Sequence, residues 1–273
     1  MTFFSIITCT KNSSKYLKET INSVKNQSFT DYEHIFIDGN SNDGTKEIIL
    51  EYQKTNSSKI KLIQTEPKGI ADAMNIGINN SNGEYLIHLH SDDYFYDSNV
   101  LKDSAEYLRK NKVDWVYGKE LRIDSLGRPI KIFLENSLFE QGSEYYFSRL
   151  ILKYIDFIRH QSVFIKKSVF DKYGYFDSSF NIAMDYEFWL RIRNKTTWKF
   201  NNRIINCFRM HDNGTSSSPS EKSKMLLDEM KAGKRYMNYF EFYILRFIFK
   251  IIIRSIAETI DQVNLYKTFI NKK

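Results

Sequence analysis

Short apolar runs alternating with segments of helical spacing fill residues 3–90, and that alternation constrains the fold more than any other feature of the chain. FFSIITC (3–9) is rich in β-branched residues and stops at the polar TKNSSK, the pattern of a buried strand entering a loop. Leu17, Ile21 and Val24 then recur at helical spacing. EHIFID (33–38) reads as a second strand broken by NSNDGT, with KEIILEYQ helical after it. KIKLIQT is a third strand, IADAMNIGINN places Ile70, Met74, Gly77 and Ile78 on one helical stripe, and EYLIHLH (84–90) is the fourth strand. Strands that alternate with helices return to one sheet through right-handed crossovers. The expected class is therefore α/β, a Rossmann-like, mostly parallel sheet with flanking helices.

In such sheets ligands bind outside the carboxyl ends of the strands. The stretch Thr8 to Asn12 leaves the first strand there, Asp38 ends the second, and Asp92 and Asp93 follow the fourth, so three distant polar clusters should share one crevice. Two adjacent carboxylates repel each other, and HLHSDDYFYD (88–97) therefore reads either as turn chemistry or as a place for a cation. Neither a GxxxxGK[ST] loop nor a GxGxxG loop is present, which removes the two commonest phosphate cradles. Oxygen ligands remain, and paired carboxylates suit Mg2+ or Mn2+ held together with substrate phosphates.

Past residue 97 the pattern changes. SNVLKDSAEYLRKN reads as a helix with Ser98 as its N-cap, VDWVYG as a strand, KELRIDSLGRPIKIF as a hairpin around Ser125 to Gly127, and the aromatic-rich 159–193 ends in a helix. We expect one compact unit with two subregions, residues 1–97 and 98–218, followed by a basic amphipathic helical tail over 219–273. Of the net charge of +7, most lies in residues 219–273, with 11 Lys and Arg against 6 Asp and Glu. The body is nearly neutral, which argues against a nucleic-acid footprint. The N-terminus has no basic region ahead of an apolar one, and Cys9 and Cys207 lie in separate apolar segments, so a cytoplasmic protein with buried thiols is expected.

SIITCTKN, HIFIDGNSNDGT, GIADAMNIGI, HLHSDD and HQSVFIKKSVFDKYGYFDSSFNIAMDYEFWLR, in that order, resemble the family 2 glycosyltransferases of the GT-A fold over roughly residues 3–215. The resemblance implies transfer of a sugar from a nucleotide diphosphate donor, a UDP-sugar, to an acceptor hydroxyl with inversion, with 1–97 as the nucleotide-sugar-binding half and 98–218 as the acceptor-binding half of one catalytic domain. It puts Thr8, Lys11 and Asn12 around the base and ribose, Asp38 on the uracil ring, and Lys68 by the donor phosphates. Asp92 and Asp93 would hold Mn2+ or Mg2+, with Asp92 also near the ribose. His90 stands where relatives carry the first carboxylate of D-x-D-D, and is either a nitrogen ligand or a strand residue with a satisfied hydrogen bond. Asp185 of AMDYEFWLR would be the base that takes the acceptor's proton, with Met184 where a Glu is common.

Glu187 is the rival base, but residues two apart on a helix face apart, so only one of them can enter the crevice. Asp43 reads as an N-cap. His160 could meet the acceptor or the base's helix, and the loop containing His211 has the Gly and Ser content of a lid over the donor. In the tail, YFEFYILRFIFKIIIRSI (239–256) interleaves aromatic and aliphatic residues with Arg246, Lys250 and Arg254. Such a helix either lies on an anionic membrane, which suits a lipid-linked saccharide acceptor, or packs on the domain or on a second copy. The rival functions are a sugar-nucleotide binding module and a nucleotidyltransferase.

Overall fold

The computed structural model describes residues 2–133, 142–144, 146–154, 156–180, 182–211, 219–238, 240–245, 247–248 and 251. Its first half follows the alternation in the sequence. Strand β1 (Phe4–Thr10) leads into helix α1 (Ser14–Lys25), β2 (Tyr32–Asp38) into α2 (Thr45–Thr55), and β3 (Ile60–Gln64) into α3 (Ile70–Asn79). Next come β4 (Tyr85–His88), the two-residue β5 (Tyr94–Phe95) and α4 (Val100–Asn111). β1 pairs in parallel with β2 and β4, and β2 in parallel with β3. Because neighbours cover both its edges and helices cover both its faces, every residue of β1 is buried, which is why FSIITCT carries no apolar/polar alternation.

The second half is mixed. β6 (Trp115–Ile123) and β7 (Pro129–Phe133) form the expected hairpin, whose turn is set by Gly127 at φ 82° and by Asp124 Oδ1 accepting from the amides of Leu126 and Arg128. After α5 (Tyr146–Tyr154) and a 3-10 turn (His160–Ser162) come β8 (Val163–Lys166), α6 (Lys167–Tyr173), α7 (Met184–Ile192), β9 (Trp198–Arg209) and α8 (Pro219–Tyr236). The sheet runs in the order β3-β2-β1-β4-β8-β6-β9-β5, with β7 on the side of β6. β8 enters antiparallel between β4 and β6, while β5 pairs antiparallel with β9.

Helices sit where their apolar stripes find partners. Leu17, Ile21 and Val24 of α1 are buried, and burying side chains of that size stabilises by about 1.5–3 kcal/mol each. The N-cap of α4 is Asn99 rather than Ser98, and it makes no side-chain capping bond; the Ser98 carbonyl is engaged by the Ser28 amide instead. A close approach fixes Gly83, where a Cβ would fall 2.4 Å from the Ser5 nitrogen. The three tryptophans form one buried stack, Trp115 lying 5.1 Å from Trp189 and 5.0 Å from Trp198 between ring centroids. Cys9 and Cys207 are buried free thiols, as expected, and burial pushes both up to about 12. Among the described residues no helix is long and apolar enough to cross a membrane. Arg246, Lys250 and Arg254, and the stretch 212–218 of the expected lid, lie outside the described residues.

Candidate active site

The parallel pairing brings the ends of β1, β2 and β4 to one sheet edge, and side chains lace the loops that leave it. Asp38 is fully buried, with Oδ1 accepting from Thr10 Oγ1 (2.8 Å) and Ser41 Oγ (2.6 Å) and Oδ2 from the Ser41 amide (3.0 Å). Lys11 Nζ donates to the Gly39 and Asn40 carbonyls. Asn12 bridges to the same loop, its amide donating to Ser41 Oγ (2.9 Å) and its Oδ1 accepting from the Asn42 amide (3.0 Å). Asn12 and Asn40 take left-handed backbone (φ 51° and 57°), which Asn tolerates better than most residues.

Asp43 caps two helices rather than one, accepting from the Ser14 amide (3.0 Å) at α1 and from the Thr45 amide (3.1 Å) at α2. Burial works against its charge, but hydrogen bonds from Thr45 and Ser14 outweigh it and hold the carboxyl well below the usual range. Lys68 is exposed on the loop before α3. Thr8 departs from expectation. It is fully buried, donating to the Leu89 carbonyl (2.7 Å) and meeting His34 Nε2 (2.9 Å), so its hydroxyl ties strands together and is closed to a ligand.

The segment after β4 divides its polar side chains among three places. Asp92 stays partly exposed, its Oδ2 2.8 Å from His211 Nε2. Asp93 turns inward and is 1 % exposed, with Oδ1 accepting from the Arg209 amide (2.9 Å) and Oδ2 without a partner. Burial, and then the neighbouring Asp92 charge, push its carboxyl well above the usual range. Enclosed and held by the Arg209 amide, Asp93 does not stand beside the exposed Asp92 carboxylate as the sequence suggested. His90 turns the other way, its Nε2 2.7 Å from His160 Nε2, and His160 Nδ1 donates to Asp185 Oδ2 at 2.9 Å. Burial and the facing His160 lower His90 to about 4, so it is neutral at neutral pH and engaged by an imidazole rather than directed at a cation.

Asp185 opens α7, with Oδ1 accepting from the Tyr186 amide (2.8 Å). Burial favours its protonated form, but the His160 hydrogen bond, the His160 charge and Arg159 outweigh burial and hold it below the ordinary value. Glu187 points away. At 1 % exposed it binds Arg191 and accepts from Tyr236 Oη (2.6 Å), tying α7 to α8, which removes it as a rival base. The separation expected of residues two apart on a helix is what the fold displays.

Sequence reasoning missed Arg209. Its buried guanidinium donates to the Asp92 carbonyl (3.0 Å), the Ser125 carbonyl (3.2 Å) and Glu19 Oε2 (2.7 Å) and lies 4.3 Å from the Tyr16 ring centre. It fastens the segment after β4 to α1 and to the β6–β7 turn. A lone arginine closing the apolar strand IINCFR was the available signal.

Among the described residues no three His, Cys, Asp or Glu side chains form a metal-holding set. Asp92 and His211 nonetheless offer one oxygen and one nitrogen donor side by side, and Mg2+ and Mn2+ sites commonly complete themselves with phosphate oxygens and water. The imidazole favours Mn2+.

A family model described as "Glycosyl transferase family 2" matches residues 5–174. A PGL/p-HBAD biosynthesis glycosyltransferase of Mycobacterium bovis is 26% identical over 189 residues, covering 69% of this chain and 68% of the relative. The poly(ribitol-phosphate) beta-N-acetylglucosaminyltransferase TarS of Staphylococcus aureus is 30% identical over 136 residues, 49% of this chain and 24% of the relative. The crystal structure of S. aureus TarS 1-349 in complex with UDP-GlcNAc aligns with a TM-score of 0.66 at 22% identity, covering 84% of this chain and 66% of that one. The mannosyltransferase PcManGT from Pyrobaculum calidifontis, in complex with GDP-Man and Mn2+, aligns at 0.63 and 15% identity, covering 85% and 64%. This chain thus spans slightly under two thirds of both solved chains. At these identities the structural likeness speaks for the fold, that of the GT-A glycosyltransferases.

Proposed function

The chain belongs to glycosyl transferase family 2, and from that membership we propose that it transfers a sugar, with inversion, from a UDP-sugar to a hydroxyl of a saccharide or lipid-linked saccharide during bacterial polysaccharide assembly. The site is assigned to the cytoplasmic side. One observation carries the reading: the hydrogen-bonded series His90–His160–Asp185 runs from the segment after β4 to the start of α7, which links the proposed base to the strand end that also bears Asp92.

The loops after β1 and β2, held by Lys11, Asn12 and the buried Asp38, would form the nucleotide's bed, and the exposed Lys68 is free to approach the donor phosphates. Asp92 and His211 would hold a divalent cation, which when bound neutralises charge building on the departing diphosphate. Asp185 draws the proton from the acceptor hydroxyl as its oxygen bonds to the anomeric carbon, and the carbon–oxygen bond to the diphosphate breaks with its electron pair leaving on UDP. His160 Nδ1 keeps the carboxylate aimed and ionised. An inverting transfer needs its base on the face opposite the leaving group, the role this reading gives to the start of α7.

Incubation with a panel of UDP-sugars, reading UDP and pyrophosphate, tests this. UDP release from one of them is expected. Pyrophosphate release would instead indicate a nucleotidyltransferase, and binding with no turnover a sugar-nucleotide binding module.

A further inference from the structure

Among the described residues, most exposed large apolar side chains are scattered singly, but five of them, Phe240, Ile244, Phe247, Ile248 and Ile251, recur at helical spacing in the last described stretch and are 43–66 % exposed. The inner side of that stretch is anchored. Glu241 pairs with Lys153 of α5, and Leu245 packs against the main core. A docked element with an uncovered apolar outer side marks a contact surface.

We propose that this stripe seats the enzyme on an anionic lipid bilayer, and that the acceptor is presented from that bilayer as a lipid-linked saccharide; the second clause rests on the transferase reading, the first does not. Charge complementarity selects the occupant. The sequence interleaves Arg246, Lys250 and Arg254 with the stripe at four-residue intervals. Cations among interfacial apolar residues match phosphate headgroups. A second copy would bring the same segment against itself about a two-fold axis and set like charges together. Position supports the acceptor assignment. The Lys153 that holds Glu241 also accepts at its carbonyl from Tyr186 Oη (2.8 Å), and the Tyr186 amide binds Asp185 (2.8 Å), so the stripe is tied through α5 to the base.

Flotation of the full chain with phosphatidylcholine vesicles, with and without phosphatidylglycerol, tests the surface, using Phe247→Glu/Ile248→Glu as the variant because both side chains are exposed and outside the site. The wild type should float with phosphatidylglycerol vesicles, release in high salt, and lose about tenfold of its bound fraction in the variant. Wild type that stays in the dense fractions with both vesicles, or a variant that floats equally, overturns the proposal. So does a wild-type dimer that the double substitution converts to monomer, since the stripe would then belong to a second copy. UDP-sugar hydrolysis in solution, read on the same samples, should be unchanged by the substitutions. Flotation without hydrolysis by the wild type would leave the lipid surface standing and remove the transferase reading.

Discussion

The two walls of the proposed crevice, one for the donor and one for the acceptor, are built by different means. On the donor wall, the ends of β1 and β2 lie in fixed register and their loops are joined largely through backbone groups, with Asn12, Lys11 and Ser41 each bonding to main chain across the gap. On the acceptor wall, the 3-10 turn at His160 and the start of α7 are joined by imidazole and carboxylate groups bonding to one another. A backbone-laced wall tolerates conservative change, because each bond is one of several. A series of side-chain bonds fails at its weakest member.

The sharpest test of that contrast lies within α7. Asp185→Asn should lower turnover by about 10³-fold while UDP affinity, measured by calorimetry, is retained. Glu187→Gln, two residues on, should cut the bonds to Arg191 and Tyr236 and lower the melting temperature, with near wild-type turnover for the folded fraction. Equal loss of turnover in the two variants would erase the distinction between them. Chelation with EDTA should reduce turnover by about 10²-fold, restored by Mn2+ in the wild type and poorly in Asp92→Ala or His211→Ala. Full activity in EDTA would remove the cation from the donor wall.

His160→Gln should cost some tens-fold in turnover and move the acid limb of the pH–rate profile upward, because the hydrogen bond that keeps Asp185 ionised is weakened. An unmoved acid limb would mean that His160 only fills space. Asp38→Ala leaves the Thr10 and Ser41 hydroxyls without their acceptor and should weaken UDP binding by about tenfold with turnover at saturating donor almost kept. The mildest effect at neutral pH concerns His34, buried beneath the donor wall and lowered by burial to about 3. Unfolding returns it to about 6.5, so the unfolded chain binds the proton first and stability falls as pH drops from about 6.5 toward 3. At pH 4 the loss is roughly 3 kcal/mol for this residue, with His88 and His90 adding in the same direction. Melting curves should show that slope, and His34→Gln should make it shallower.

The donor wall was largely legible in the sequence because its ingredients are periodic. Apolar runs of β-branched residues, Gly and Asn breaks and helical stripes placed β1 to β4 and aligned Asp38 with the segment after β4. What the pattern could not resolve was rotation about those ends. Asp92 and Asp93 are adjacent in sequence, yet β9 captures one through the Arg209 amide and leaves the other beside His211. Thr8 and Thr10 share a face of β1, yet only Thr10 reaches the edge, while Thr8 is sealed under Leu89. The acceptor wall was legible residue by residue but not as an arrangement: His90, His160 and Asp185 each stood out, but their union depends on β8 entering antiparallel beside β4, a tertiary choice with no local signature.

The tryptophan stack has a spectroscopic corollary. Trp115, Trp189 and Trp198 are the chain's entire complement and form one stack that includes the helix of Asp185, so tryptophan emission reports on that side of the enzyme and is nearly blind to the donor loops. Quenching on adding an acceptor would be read directly, whereas nucleotide engagement calls for a fluorophore introduced near α1 or α2.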